Sequence, residues 1–166
     1  MNSSAKKIAL GGLFAALAMV VMCLGGLIPV ATYVSPMICA LLCHFIFLFT
    51  GAANSWAWFG AVSVLSLFFS PDKEAAFVFL FLGYYPIIRR YFKKNVIGIL
   101  LKFLFFNVSV FALYMVTIFV FGMYEIQKEF AQLGRVMLIV MLVLGNLCFY
   151  MLDFLLGRFG LNGKKR

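Results

Sequence analysis

Charge is what this chain has least of. Of its 166 residues only 11% are charged, with five Asp or Glu and one histidine, too few to clothe a soluble domain of this length in water. The shortage of acids excludes a dense carboxylate set of the kind that relays protons or cations, and a lone histidine leaves too few groups to assemble intramembrane catalysis. No G-x-x-x-x-G-K nucleotide loop, no H-E-x-x-H helix and no G-x-S-x-G elbow occurs. The chain is therefore not expected to be an enzyme, to pump on its own energy or to carry a cofactor. Cysteine is also scarce. Cys23, Cys39, Cys43 and Cys148 all lie inside apolar runs, where a thiol behaves as a small hydrophobe, so four free thiols are expected. Cys39, Cys43 and His44 invite a metal reading, but His44 points about 100° away from Cys43 on a helix and thiols in apolar surroundings resist deprotonation. No metal site is expected there.

What the chain does have is hydrocarbon. Two thirds of it is hydrophobic (66%), with 21 Phe and 9 Met in long runs, and lipid is the natural solvent for such a composition. The formal charge of +9 does not indicate a nucleic-acid partner, because the basic residues cluster between apolar runs instead of interleaving along a polar face. The start, Lys6 and Lys7 before an apolar run from Ile8, resembles a signal peptide. The run continues to about Val30 without a small-x-small cleavage site, and Val21 and Met22 precede Cys23 where lipoprotein processing needs small residues. The segment is expected to be retained as a span.

Apolar stretches near Ile8 to Pro29, Pro36 to Phe49, Ala52 to Phe69, Lys73 to Ile88, Val96 to Met123 and Gly134 to Leu156 approach the roughly 20 residues a span needs. Gly51 separates the second and third. Ser70-Pro71-Asp72 reads as the start of the fourth, with a capping hydroxyl, proline at the first helical position and an acid in the first turn. Pro86 is expected to kink or end that helix. With the N-terminus inside, six spans place every Lys and Arg except Lys73, Lys128 and Arg135 on the cytoplasmic side, as the positive-inside rule requires. The expected fold class is all-α: a polytopic integral membrane protein, one six-transmembrane-helix bundle over 1–166, N-in/C-in, in the plasma membrane.

In the first segment Gly11 and Ala15, and in parallel Gly12 and Ala16, are four apart and stack on a helix face, a strip that lets another backbone approach, within the bundle or from a partner. Together with the basic start, the pattern Ile8-Ala9-Leu10-x-x-Leu13-x-Ala15-Ala16-Leu17-Ala18 resembles the first helix of the substrate-binding S components of energy-coupling factor (ECF) vitamin transporters. Length, helix number, a loop with Pro29 and Pro36 after the first helix, and a last helix with Gly145-Asn146 and Asp153 are similar to that family as well. The resemblance implies a membrane subunit that binds a vitamin or other small micronutrient. It also implies that the strip at Gly11, Gly12, Ala15 and Ala16 docks a transmembrane coupling subunit, and that separate cytoplasmic ATPases supply the energy. The alternative is a small scaffold or assembly protein that binds no solute.

Polar groups inside lipid are costly unless paired. His44, Asn107 and Asn146 are candidates to bind a solute, or to hydrogen-bond between helices. Asp153 is expected to pair with Arg158, and Lys102 to snorkel to the headgroups. The basic run from Arg89 to Lys94 is expected to meet anionic lipid. On the outer side Asp72, Lys73, Glu74, Glu125, Lys128 and Glu129 form a charged rim. Thr32, Tyr33 and Ser35 lie in the loop that gates the cavity in the resembled family.

Overall fold

A computed structural model describes residues 3–27, 31–92, 95–119 and 135–162. Among them the regular structure is helical, with no strand: α1 (Ser3–Gly25), α2 (Ala31–Thr50), α3 (Ala52–Phe69), α4 (Lys73–Leu82), α5 (Tyr85–Ile88), a 3-10 turn (Arg89–Tyr91), α6 (Val96–Phe119) and α7 (Arg135–Asn162). Four of these, α1, α2, α3 and α6, are long and apolar enough to cross a membrane. In lipid a helix is the element that satisfies every backbone N–H and C=O within its own segment. The chain has the build of a helical membrane protein.

Two expectations about element boundaries change. The second helix begins at Ala31, so Thr32, Tyr33 and Ser35 occupy its first turns and Pro36 lies inside it. The proline ring removes the amide that would bond to the Thr32 carbonyl, a cost tolerated this close to a helix start. The stretch Lys73 to Ile88 is divided. α4 spans 10 residues, about 15 Å of rise and half a bilayer core, and ends at Gly83, whose amide bonds to the Phe79 carbonyl at 2.7 Å. A Cβ at Gly83 would lie 2.5 Å from the Phe79 ring, so only glycine admits that approach. Pro86 then opens α5 in its first turn, where a missing N–H costs nothing.

The cap before α4 also shifts. Asp72, not Ser70, is the N-cap: its carboxylate accepts the Ala75 amide at 3.0 Å. Ser70 instead terminates α3, its amide bonding to Ser66 O at 2.9 Å. Between α2 and α3 the connection is the single residue Gly51, at φ 91°, a left-handed conformation that side chains disfavour.

The chain packs as two compact units, Met1–Tyr91 with Gly160–Arg166, and Phe92–Phe159. In the first, α2 packs against α1, α3, α4 and α5 and buries Cys39, Leu42, Cys43 and Ile46 in a core with Ala18, Met22, Trp58, Phe59, Val62 and Phe79. All four cysteines are free thiols, as expected; Cys39 donates to the Ala18 carbonyl at 3.5 Å. α1 and α2 approach closely at Gly25, where a Cβ would collide with the Ser35 side chain. Gly25→Leu should therefore overpack this crossing and cost about 1–3 kcal/mol, read as a lowered midpoint of thermal unfolding in detergent. The same exchange at Gly60, where nothing stands within 4 Å, should leave it in place.

Candidate functional site

α1 has two faces. Ala18, Met22 and Gly25 are buried, Ala15 packs on the core, and the Gly11 carbonyl accepts the Trp58 indole N–H at 3.1 Å. Gly12 and Ala16, about 100° further round the helix, are exposed, as are Leu13, Leu17, Val20 and Leu24. The two small-residue strips thus separate. Gly11 and Ala15 are partly buried, Ala15 against the core, whereas Gly12 and Ala16 are exposed on an apolar face, where small side chains would let another backbone approach closely.

Thr32 and Tyr33 stand at the other end of the unit from Lys7. Tyr33 donates to Glu74 Oε1 at 3.0 Å, tying the start of α2 to the start of α4. The expected charged rim is spent on structure as far as it is described. Asp72 caps α4, and the Lys73 ammonium donates to the Leu67 and Phe68 carbonyls at 2.8 and 3.3 Å, satisfying the end of α3. Glu125, Lys128 and Glu129 lie outside the described residues, as do Pro29, Lys93 and Lys94.

His44 is far from Tyr33, eleven residues and about 16 Å along the same helix. It is 5% exposed, and neither ring nitrogen has a hydrogen-bond partner among the described residues. Its ring stacks on Phe47 at 6.4 Å and 18°. The Arg90 guanidinium lies 5.5 Å from the centre of that Phe47 ring, a cation–π distance.

The second unit is an antiparallel pairing of α6 and α7, held at successive levels. Lys102 forms an ion pair with Asp153 at 2.9 Å, their side chains 14% and 18% exposed. This overturns both expectations for these residues: Lys102 does not snorkel away, and Asp153 does not pair with Arg158. Five residues turn a helix through roughly 140°, so Arg158 faces elsewhere, whereas an acid and a base on neighbouring apolar helices gain most from each other. One level on, Phe149 stacks on Phe106 at 4.6 Å and 21° and meets Phe103 edge-on at 6.2 Å. Beyond it Asn107 donates to Asn146 Oδ1 at 2.9 Å and Asn146 donates back at 3.3 Å. Each amide also bonds the carbonyl four residues before it, Phe103 and Leu142. Of the two roles open to these asparagines, the geometry realises the interhelical one.

Sequence reasoning missed the Trp58 to Gly11 bond, which has no local signature. The Lys102 to Asp153 pair it could have found, since opposite charges in consecutive apolar segments must be paired or exposed. Comparison with protein families, with curated proteins and with solved structures finds no match for this chain.

Because the two asparagines satisfy each other, replacing one strands the other. Asn107→Ala should destabilise the protein by about 1 kcal/mol, and Asn146→Ala added to it should cost less than Asn146→Ala alone. Unfolding of the four variants in detergent measures that coupling.

Proposed function

We propose that this chain is the substrate-capturing subunit of an ECF-type uptake transporter for a vitamin or other small micronutrient, with ATP hydrolysis on separate cytoplasmic subunits. The observation that carries the reading is the exposed Gly12 and Ala16 strip on α1, on the helix whose sequence resembles the docking helix of that family. A coupling subunit would seat a helix of its own there, its backbone brought close by the absence of large side chains. In this reading the protein sits in the plasma membrane with both ends cytoplasmic. α4 and α5 together form a broken fourth segment, and α7, at 28 residues, forms the last. Solute enters at the end where Thr32, Tyr33 and Glu74 lie.

The scaffold alternative draws support from one observation, the mutual satisfaction of Asn107 and Asn146, which leaves fewer polar groups to hold a solute. The two readings differ in what travels with the purified protein. For the transporter, mass spectrometry of the gently solubilised chain should detect a bound small molecule, and Gly12→Leu with Ala16→Leu should remove the coupling subunit from the purified complex while leaving that molecule bound. A chain that carries no small molecule and keeps its partner after both substitutions would overturn the transporter reading.

A further inference from the structure

A cavity of about 420 Å³ opens between the first turns of α1, the end of α2 and the start of α3. Its polar lining residues are Ser4 and Lys7 on α1, Thr50 at the end of α2 and Asn54 on α3; the exposed Ile8 also lines it, and its buried members, Ile46 and Trp58, are largely apolar. A Cβ added at Gly11 would meet nothing within 4 Å, so there is open space beside it.

The charge of this cavity is one-sided. No carboxylate is among its described lining residues, and Lys7 has neither a hydrogen-bonded nor an ionic partner among the described residues. The described acids are committed elsewhere: Asp72 and Glu74 to the opposite end of the unit, Asp153 to Lys102. Several polar partners are already used in ways that shape the site without neutralising it. The Thr50 hydroxyl donates to the Ile46 carbonyl at 2.8 Å, the Asn54 amide to the Thr50 carbonyl at 3.1 Å, and the Trp58 N–H to Gly11. What remains to meet a ligand is the Lys7 ammonium, which can only donate, the Ser4 hydroxyl, and the second N–H and the Oδ1 of Asn54; the one charge among them is positive.

Lys7 lies in the first turn of the apolar window that begins at Ser4, the depth at which a span meets the phosphate layer of a bilayer. We propose that this cavity is a binding site for an anionic phospholipid, the headgroup phosphate on Lys7, Ser4 and Asn54 and the first part of an acyl chain running down between Gly11 and Trp58. An acyl chain matches the largely apolar buried lining, which a free phosphate ion would leave uncovered. The volume lies within the range of small-molecule sites. The proposal does not rest on the transporter reading, because neither Gly12 nor Ala16 lines the cavity.

Trp58 supplies the probe. In a Trp56→Phe background, the protein is placed in nanodiscs of phosphatidylcholine containing a small, equal fraction of either chain-brominated phosphatidylglycerol or chain-brominated phosphatidylcholine, and quenching of Trp58 is measured. The expected result is preferential quenching by the anionic lipid. Lys7→Gln should reduce that preference about fivefold, the ratio that corresponds to about 1 kcal/mol per cation. Gly11→Leu, which adds a bulky side chain to the cavity lining, should reduce it as well. Equal quenching by the two lipids, or a preference that survives Lys7→Gln, overturns the proposal. Loss of quenching on adding inorganic phosphate, but not sodium chloride of matched ionic strength, also overturns it by showing that a soluble phosphate compound is the ligand. Should Gly11→Leu fail to fold, Lys7→Gln decides alone.

Discussion

A backbone dissolved in hydrocarbon has no water to bond with, and every N–H and C=O must find a partner inside the protein. That constraint organises the joints of this chain. Gly51, Ser70 and Gly83 each return their amide to the helix just ended, bonding Phe47 at 3.1 Å, Ser66 at 2.9 Å and Phe79 at 2.7 Å. Lys73 adds its ammonium to the last carbonyls of α3. The same demand absorbs many of the polar side chains. Thr50, Ser55, Asn107 and Asn146 all donate to a carbonyl four residues earlier, a use open to short polar side chains on any helix. Polar residues spent this way are less available to a ligand; among the described residues the His44 ring nitrogens and the Ser63 hydroxyl are buried without a hydrogen-bond partner, and Lys7 is exposed without one.

Size distinguishes helix faces here more than polarity does. Around α1 nearly every position is apolar, so hydrophobicity cannot say which side turns inward. What differs is size: Gly25 admits Ser35, Gly11 lines a cavity beside Trp58, and Gly12 and Ala16 put two small residues on the exposed side. In water the hydrophobic effect would bury all such faces indiscriminately. In lipid, close packing and hydrogen bonds must choose, and α6 and α7 illustrate the choice through one ion pair, one aromatic stack and one amide pair at successive levels.

Much of the architecture was legible in the chain itself. The helical class and membrane character follow from apolar runs with almost no charge, and the joints at Gly51 and near Ser70 to Asp72 follow from residue types with narrow conformational uses. The free thiols follow from their apolar neighbours. Less legible were the ends of elements. Pro36 reads as a helix start and proves to be internal, because a proline near the first turns costs little; Pro86 reads as a helix end and proves to be a beginning, because Gly83 has already stopped α4.

Composition and pattern alone determined the solvent this protein belongs in and the segments that become helices, since both depend on local properties: side-chain transfer into lipid and the backbone's need to bond within its own segment. Partnership was decided only by tertiary structure. Lys102 meets Asp153 across 51 positions, Trp58 reaches Gly11 across 47, and one of two identical-looking strips on α1 turns inward. The reason is geometric: which faces meet depends on the rotation of one helix against another, and in a nearly uniform apolar sequence that rotation is set by steric fit and a handful of polar pairs distant in the chain.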